Sequence, residues 1–247
     1  MSSTMGKLKP ALLVASSILV IICVFALLFY RGDLLFNDPS PYPVRGVDVS
    51  SYQGDIDWEI LSNQNIHFAF IKATEGSSFV DEYFVTNFVK ALNTELRVGA
   101  YHFFSSESKG KTQAENFISN VPKDIATLPP VVDFELYGSH KRNLPGKDEM
   151  RRELDILLKE LEAHYGVKPI IYATEKDYDI YLSGYYGTYD IWIRNVFTHP
   201  KEPQDQDWTF WQYSNRGRLY GYAGEERYID LNVFYGTLEE FYSYGTK

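Results

Sequence analysis

From Val44 onward the chain alternates short apolar runs with amphipathic ones. This alternation restricts the fold more than any other feature. VRGVDVS (44–50), HFAFIKAT (67–74), RVGAYHFF (97–104), LPPVVDFE (128–135) and KPIIYAT (168–174) read as strands. Between them IDWEILSNQ (56–64), a segment near 81–95, SKGKTQAENFISNV (108–121) and KDEMRRELDILLKELEAHYG (147–166) read as helices. In the last of these Leu154, Leu157, Leu158 and Leu161 share one helical face, and Gly166 stands where a C-terminal cap belongs. Strand–helix alternation implies a parallel sheet. Three more strands follow, YDIWIRN (189–195), WTFWQYS (208–214) and YIDLNVFY (228–235), with little helix between them. About eight strands in a 247-residue chain fit one α/β barrel, an architecture that typically uses about 250 residues. Its last part is expected to lack outer helices. No fixed-period repeat or low-complexity segment interrupts the pattern.

The first thirty residues do not belong to that pattern. ALLVASSILVIICVFALLFY (11–30) is an uncharged run of 20 residues, and a helix of that length would cross a hydrocarbon core of roughly 30 Å. It does not end in the small-residue site of a cleaved signal peptide. The expectation is therefore a cytoplasmic tail at 1–10, a transmembrane signal anchor at 11–30, a Pro/Asp/Ser-rich linker at 31–43 and a globular domain at 44–247. Lys7 and Lys9 would keep the N-terminus in the cytoplasm. The globular domain would then lie outside the cytoplasmic membrane, in the periplasm or cell-wall space, with the membrane as a partner through the N-terminal helix. The single Cys23 falls in the run, so the rest of the chain has no thiol, which suits an oxidising compartment. The net charge is −9, and residues 1–31 carry basic residues but no acid, so the remainder is more acidic still. Such a balance argues against nucleic acid as a partner.

In a parallel barrel, chemistry sits at the C-terminal ends of the strands. Four acids stand out there: Asp48 in GVDVS, Asp133 and Glu135 in VVDFE, and Asp230 in YIDLN. An acid in an apolar strand is costly to bury without a partner or a task. Asp133 and Glu135 are two apart, so a strand would put both on one face. Neighbouring carboxyls raise one another's proton affinity, and a protonated acid beside an ionised one is the apparatus of glycosidic-bond cleavage. A single strand Asp is more often a turn residue or an ion-pair partner; four on three strand ends are harder to explain so. Tyr52, Tyr101, Tyr172, Trp192, Trp211 and Tyr213 lie at or just after strand ends, where aromatic faces could stack on sugar rings. For about half of them core packing is the simpler account. Lys72, in an apolar strand, either neutralises the acids or points outward. His102 reads better as a satisfied core histidine than as a site residue. The five histidines show no zinc spacing, and there is no G-x-S-x-G elbow or P-loop.

The segments GVDVSSYQGDIDW (46–58), FAFIKATEG (68–76), GAYHFF (99–104), PPVVDFE (129–135), IIYAT (170–174), DIWI (190–193), FWQYS (210–214) and IDLN (229–232) occur in an order that resembles glycoside hydrolase family 25, the Chalaropsis-type lysozymes or N-acetylmuramidases. The resemblance covers about 44–235. It implies a modified TIM-type barrel of five β/α units followed by three strands. It implies cleavage of the β-1,4 bond between N-acetylmuramic acid and N-acetylglucosamine in peptidoglycan glycan strands, without cofactor, metal or obligate protein partner. Glu135 would be the general acid and Asp133 its partner carboxylate; the nucleophile would be either a carboxylate or the substrate's own acetamido oxygen, and the reading favoured here is that Asp133 orients the acetamido group. Asp48 and Asp230 would shape and charge the saccharide site. Two features depart from the commonest arrangement: the anchor-like run without wall-binding repeats, and Arg194 where relatives often place a small residue. Another hexosaminidase, such as a chitinase, and a non-catalytic saccharide-binding barrel stay open as alternatives.

Overall fold

The computed structural model describes residues 5–31, 37–123, 125–136, 144–201 and 208–245. Two compact units are present, Met1–Asp38 and Pro39–Lys247. The first contains helix α1 (Met5–Arg31). Among the described residues no helix is long and apolar enough to cross a membrane. This corrects the expectation of a membrane-spanning anchor, of the membrane as a partner, and of the localisation derived from them. Residues 1–4 of the expected tail and 32–36 of the expected linker lie outside the described residues.

In the second unit the strands are β1 (Arg45–Val49), β2 (Phe68–Glu75), β3 (Phe79–Val80), β4 (Arg97–Phe103), β5 (Val131–Asp133), β6 (Ile170–Thr174), β7 (Ile191–Arg194), β8 (Phe210–Gly217) and β9 (Ile229–Phe234). Helices α2 (Trp58–Ser62), α3 (Phe84–Leu92), α4 (Gly110–Asn120) and α5 (Lys147–Tyr165) follow β1, the β2–β3 hairpin, β4 and β5. A short α6 (Glu175–Asp177) running into a π-helical turn (Tyr178–Leu182) follows β6, and α7 (Leu238–Ser243) follows β9. Gly166 closes α5 in the left-handed conformation, at φ 73°.

Seven strands from β1 to β8, omitting β3, pair in parallel. Strand β9 runs antiparallel to β8 on one side and to β1 on the other, closing the ring. The result is an eight-stranded closed barrel with β3 appended to β2. Among the described residues no helix intervenes between β7, β8 and β9. β9 is reached from β8 through an antiparallel hairpin, which needs no crossover helix.

Strand alternation divides the apolar residues in two. Val44, Phe68, Phe70, Val131, Ile170, Trp192, Phe210 and Phe234 fill the barrel interior. Val47, Ile71, Val98, Val132, Ile171 and Ile193 face the helices. Gly46 and Gly99 make the interior possible, because a Cβ at either would sit 2.3 Å and 2.6 Å from the rings of Phe68 and Phe70. At the N-terminal end of the strands Phe241 of α7 is fully buried against Phe68 and Phe234. The buried Arg97 guanidinium donates there to the carbonyls of Phe241 and Thr127.

Candidate active site

Followed toward the other end, the same inward positions turn from apolar to polar. Val44 and Gly46 lead to Asp48, Phe68 and Phe70 to Lys72, Gly99 to Tyr101, Val131 to Asp133, Ile170 to Tyr172, Trp192 to Arg194 and Phe210 to Gln212. On the reversed β9, Phe234 gives way to Asn232 and then Asp230. These side chains line a cleft of about 760 Å³ together with Tyr52, Glu75, Glu135 and Tyr228. Trp192, stacked on Phe70 at 4.7 Å, is its floor.

The four acids singled out from the sequence all line this cleft. Asp48 and Asp230 are direct partners across the β1–β9 ladder. Asp133 ends β5, opposite Phe103 and Tyr172. Glu135 lies two residues beyond that strand, so the loop rather than strand alternation sets its position; it is half-buried where Asp133 is buried. One carboxyl oxygen of Asp133, Oδ1, is buried without a hydrogen-bond partner. Burial, then the charges of Glu135 and Asp48, push Asp133 well above the usual carboxylate range, against the pull of Lys72 and Arg194. Burial also raises Asp48, against hydrogen bonds from Asn232 and Gln212. Asp230 is pushed up to about 8, by burial first and by Asp48 second.

Asp48 Oδ2 accepts from Gln212 Nε2 at 2.9 Å and from Asn232 Nδ2 at 2.7 Å. Gln212 Oε1 accepts from the Tyr172 hydroxyl at 3.0 Å, and Asn232 Oδ1 from Trp192 Nε1 at 2.9 Å. Neither amide was singled out in the sequence. The available signal was a polar residue at an inward position of an apolar strand, in FWQYS and in IDLN.

Lys72 points into the cleft and settles the choice left open by the sequence. Its Nζ is 2.7 Å from Glu75 Oε2. Both can face inward because a bulge between Lys72 and Thr74 shifts the alternation by one residue. The shift turns Thr74 outward, where its hydroxyl meets His102 Nδ1 at 2.7 Å. His102 is fully buried, also bonded to Gln113 at 3.1 Å, and lowered to about 4 by burial. It is therefore neutral and part of the packing, as the sequence suggested.

Of the six aromatics, Tyr52, Tyr101, Tyr172 and Trp192 line the cleft, whereas Trp211 and Tyr213 do not. On β8 the inward positions are 210 and 212, so 211 and 213 point out. Trp211 is fully buried against Trp208 and Tyr42 and donates Nε1 to the Asn195 carbonyl at 2.8 Å. Tyr213 packs on Trp211, with the Arg45 guanidinium 5.9 Å from its ring.

A barrel of this topology, with carboxyls crowded at one end, is matched by a family model. Residues 47–222 fit the glycosyl hydrolases family 25. The chain belongs to that family. Its fold is similar to that of a family 25 glycosyl hydrolase from Bacillus anthracis, with a TM-score of 0.81 and 55% identity over 86% of this chain and 98% of that one. It is also similar to the bacterial lysozyme from Streptomyces coelicolor, with a TM-score of 0.74 and 32% identity over 81% and 95% of the two chains. Lysozyme M1 of Streptomyces globisporus is 32% identical over 78% of this chain and 68% of its own length. As a family 25 member the chain is a lysozyme-type glycoside hydrolase, a hydrolase of peptidoglycan.

Proposed function

We propose that this family 25 enzyme cleaves the β-1,4 bond between N-acetylmuramic acid and N-acetylglucosamine, with Glu135 as general acid. The observation that carries this reading is the pairing of a buried Asp133, one oxygen of which lacks a partner, with a half-buried Glu135 in one cleft. In this reading Glu135 gives its proton to the glycosidic oxygen as the bond to the anomeric carbon breaks. The acetamido oxygen of the same sugar closes onto that carbon, and Asp133 Oδ1 receives the acetamido N–H and fixes its direction. Water then opens the ring while Glu135, now a carboxylate, takes up a proton from it. Tyr52 at the rim and Trp192 on the floor offer apolar faces to the sugar rings. Asp48 and Asp230 supply negative charge facing the cationic transition state.

Digestion of purified peptidoglycan, borohydride reduction and mass spectrometry of the reduced sugar test the proposal. Reduced N-acetylmuramic acid ends are expected, and Glu135→Gln should lower their rate of appearance by at least about a thousandfold with the fold intact. Reduced N-acetylglucosamine ends would overturn the bond assignment. Cleavage of chitin oligomers in preference to the wall would favour a broader hexosaminidase. Tight binding without new ends would make the barrel a saccharide binder.

A further inference from the structure

The hydrogen-bond chain behind Asp48 has a direction, and one group sets it. The indole Nε1–H of Trp192 can only donate. Its partner at 2.9 Å must therefore be the Asn232 oxygen, which turns the Asn232 amide nitrogen toward Asp48 Oδ2 at 2.7 Å. Asp48 Oδ2 is then an acceptor. The Gln212 atom 2.9 Å away is accordingly its nitrogen, and the Gln212 oxygen is left to accept from Tyr172 at 3.0 Å. Strand register holds the parts in place: Gln212 is opposite Asn232, and Asp48 is opposite Asp230. All four links are buried. Two N–H donors on Asp48 Oδ2 stabilise the ionised form of that carboxyl, and both amides bond to Asp48 and not to Asp230.

We propose that Gln212 and Asn232 are positioning residues that fix Asp48 as the hydrogen-bond acceptor of the Asp48–Asp230 pair, so that the proton the two carboxyls share resides on Asp230. The pair then faces the cleft as a single negative charge at a fixed place. This rests on the reading of the cleft as the hydrolytic site. Both carboxyls titrate among charged or ionisable neighbours, namely Asp133 and Glu135 at the end of β5, Lys72 on β2, Arg194 on β7, and Tyr101 and Tyr172 on β4 and β6. The amides are distinguished from these by contact with one oxygen of one acid. Removing an N–H donor takes stabilisation from the ionised form of Asp48, so its proton affinity must rise.

The test is a pH titration of the whole protein labelled with ¹³C at the aspartate carboxyls. The Asp48 and Asp230 signals are assigned by their loss in Asp48→Asn and Asp230→Asn. In the unaltered protein the Asp48 signal should move at lower pH than the Asp230 signal; the reverse order overturns the proposal. In Asn232→Leu the Asp48 transition should rise by about one pH unit or more. The acid limb of the kcat profile should follow it, and kcat should fall about tenfold while KM stays within about threefold. An unmoved Asp48 transition, or a loss of activity that tracks only a loss of folded protein, also overturns it. Gln212→Leu gives the same readout from the other amide should Asn232→Leu not fold. Absence of hydrolysis by the unaltered protein would refute the reading of the cleft, while the carboxyl titration would still decide where the proton resides.

Discussion

Asp230 ties the chemistry of single residues to their stability. Its proton affinity in the folded chain, near 8, lies far above that of an unfolded aspartate. A group raised on folding contributes its full stability below the unfolded value and loses it as pH rises through the folded one. Unfolding midpoints of the unaltered protein should therefore fall between about pH 4 and pH 8, by at most about 1.4 kcal/mol per pH unit from one such group. Asp230→Asn should flatten that slope, measured by urea denaturation at several pH values. The exposed Tyr52, in the cleft, and the buried Trp211, outside it, provide a second contrast. Tyr52→Ala should raise KM severalfold and leave the melting temperature unchanged, whereas Trp211→Phe should lower the melting temperature and leave KM within about twofold. The acids of this site were legible in the sequence, because a carboxylate in an apolar strand violates the pattern around it. Gln212 and Asn232 violate it less sharply. Trp211 and Tyr213 could not be separated from Trp192 until the inward phase of β8 was known.

At the scale of elements, helices α4 and α5 are joined at one close point. Glu153 of α5 accepts from the backbone N–H of Gly110 at 2.8 Å, so a side chain on α5 caps the first turn of α4. That bond holds the Glu153 carboxyl below its usual range. A Cβ on Gly110 would lie 2.0 Å from the Glu153 carbonyl oxygen. Gly110→Ala should therefore cost about 2 kcal/mol or more despite its better helix propensity, read as a lower denaturant midpoint with kcat of the remaining folded enzyme unchanged. Sequence periodicity located the strands and α5 to within a few residues, because long apolar faces dominate there. It overran β5, expected over 128–135 and formed only at Val131–Asp133. The hairpin strand β3 and the π-helical turn after β6 had no periodic signature at all: one is two residues long and the other follows a non-standard hydrogen-bond pattern.

At the scale of the whole barrel, stability and chemistry occupy opposite ends. The end holding Phe241 is apolar and closed, and the end holding the acids is open. Phe241→Ala should cost about 3–5 kcal/mol of stability and leave KM for wall fragments unchanged, a separation that calorimetry and steady-state assays would show. The antiparallel β9 has an additional result. Every other barrel strand reaches the cleft with its last residues, but β9 enters at the cleft with its first, so its inward acid precedes the apolar positions instead of following them. The hairpin between β8 and β9 therefore belongs to the cleft rim, to which it contributes Asn215, Arg216, Glu226 and Tyr228. Its tip is tied to the segment after β1, Gly221 O accepting from Asp57 N at 2.7 Å and Tyr52 O from Glu226 N at 2.9 Å. Reversing one strand has thus put the β8–β9 connection on the cleft side, where it braces Tyr52, and a change in its length would reach the cleft through that residue.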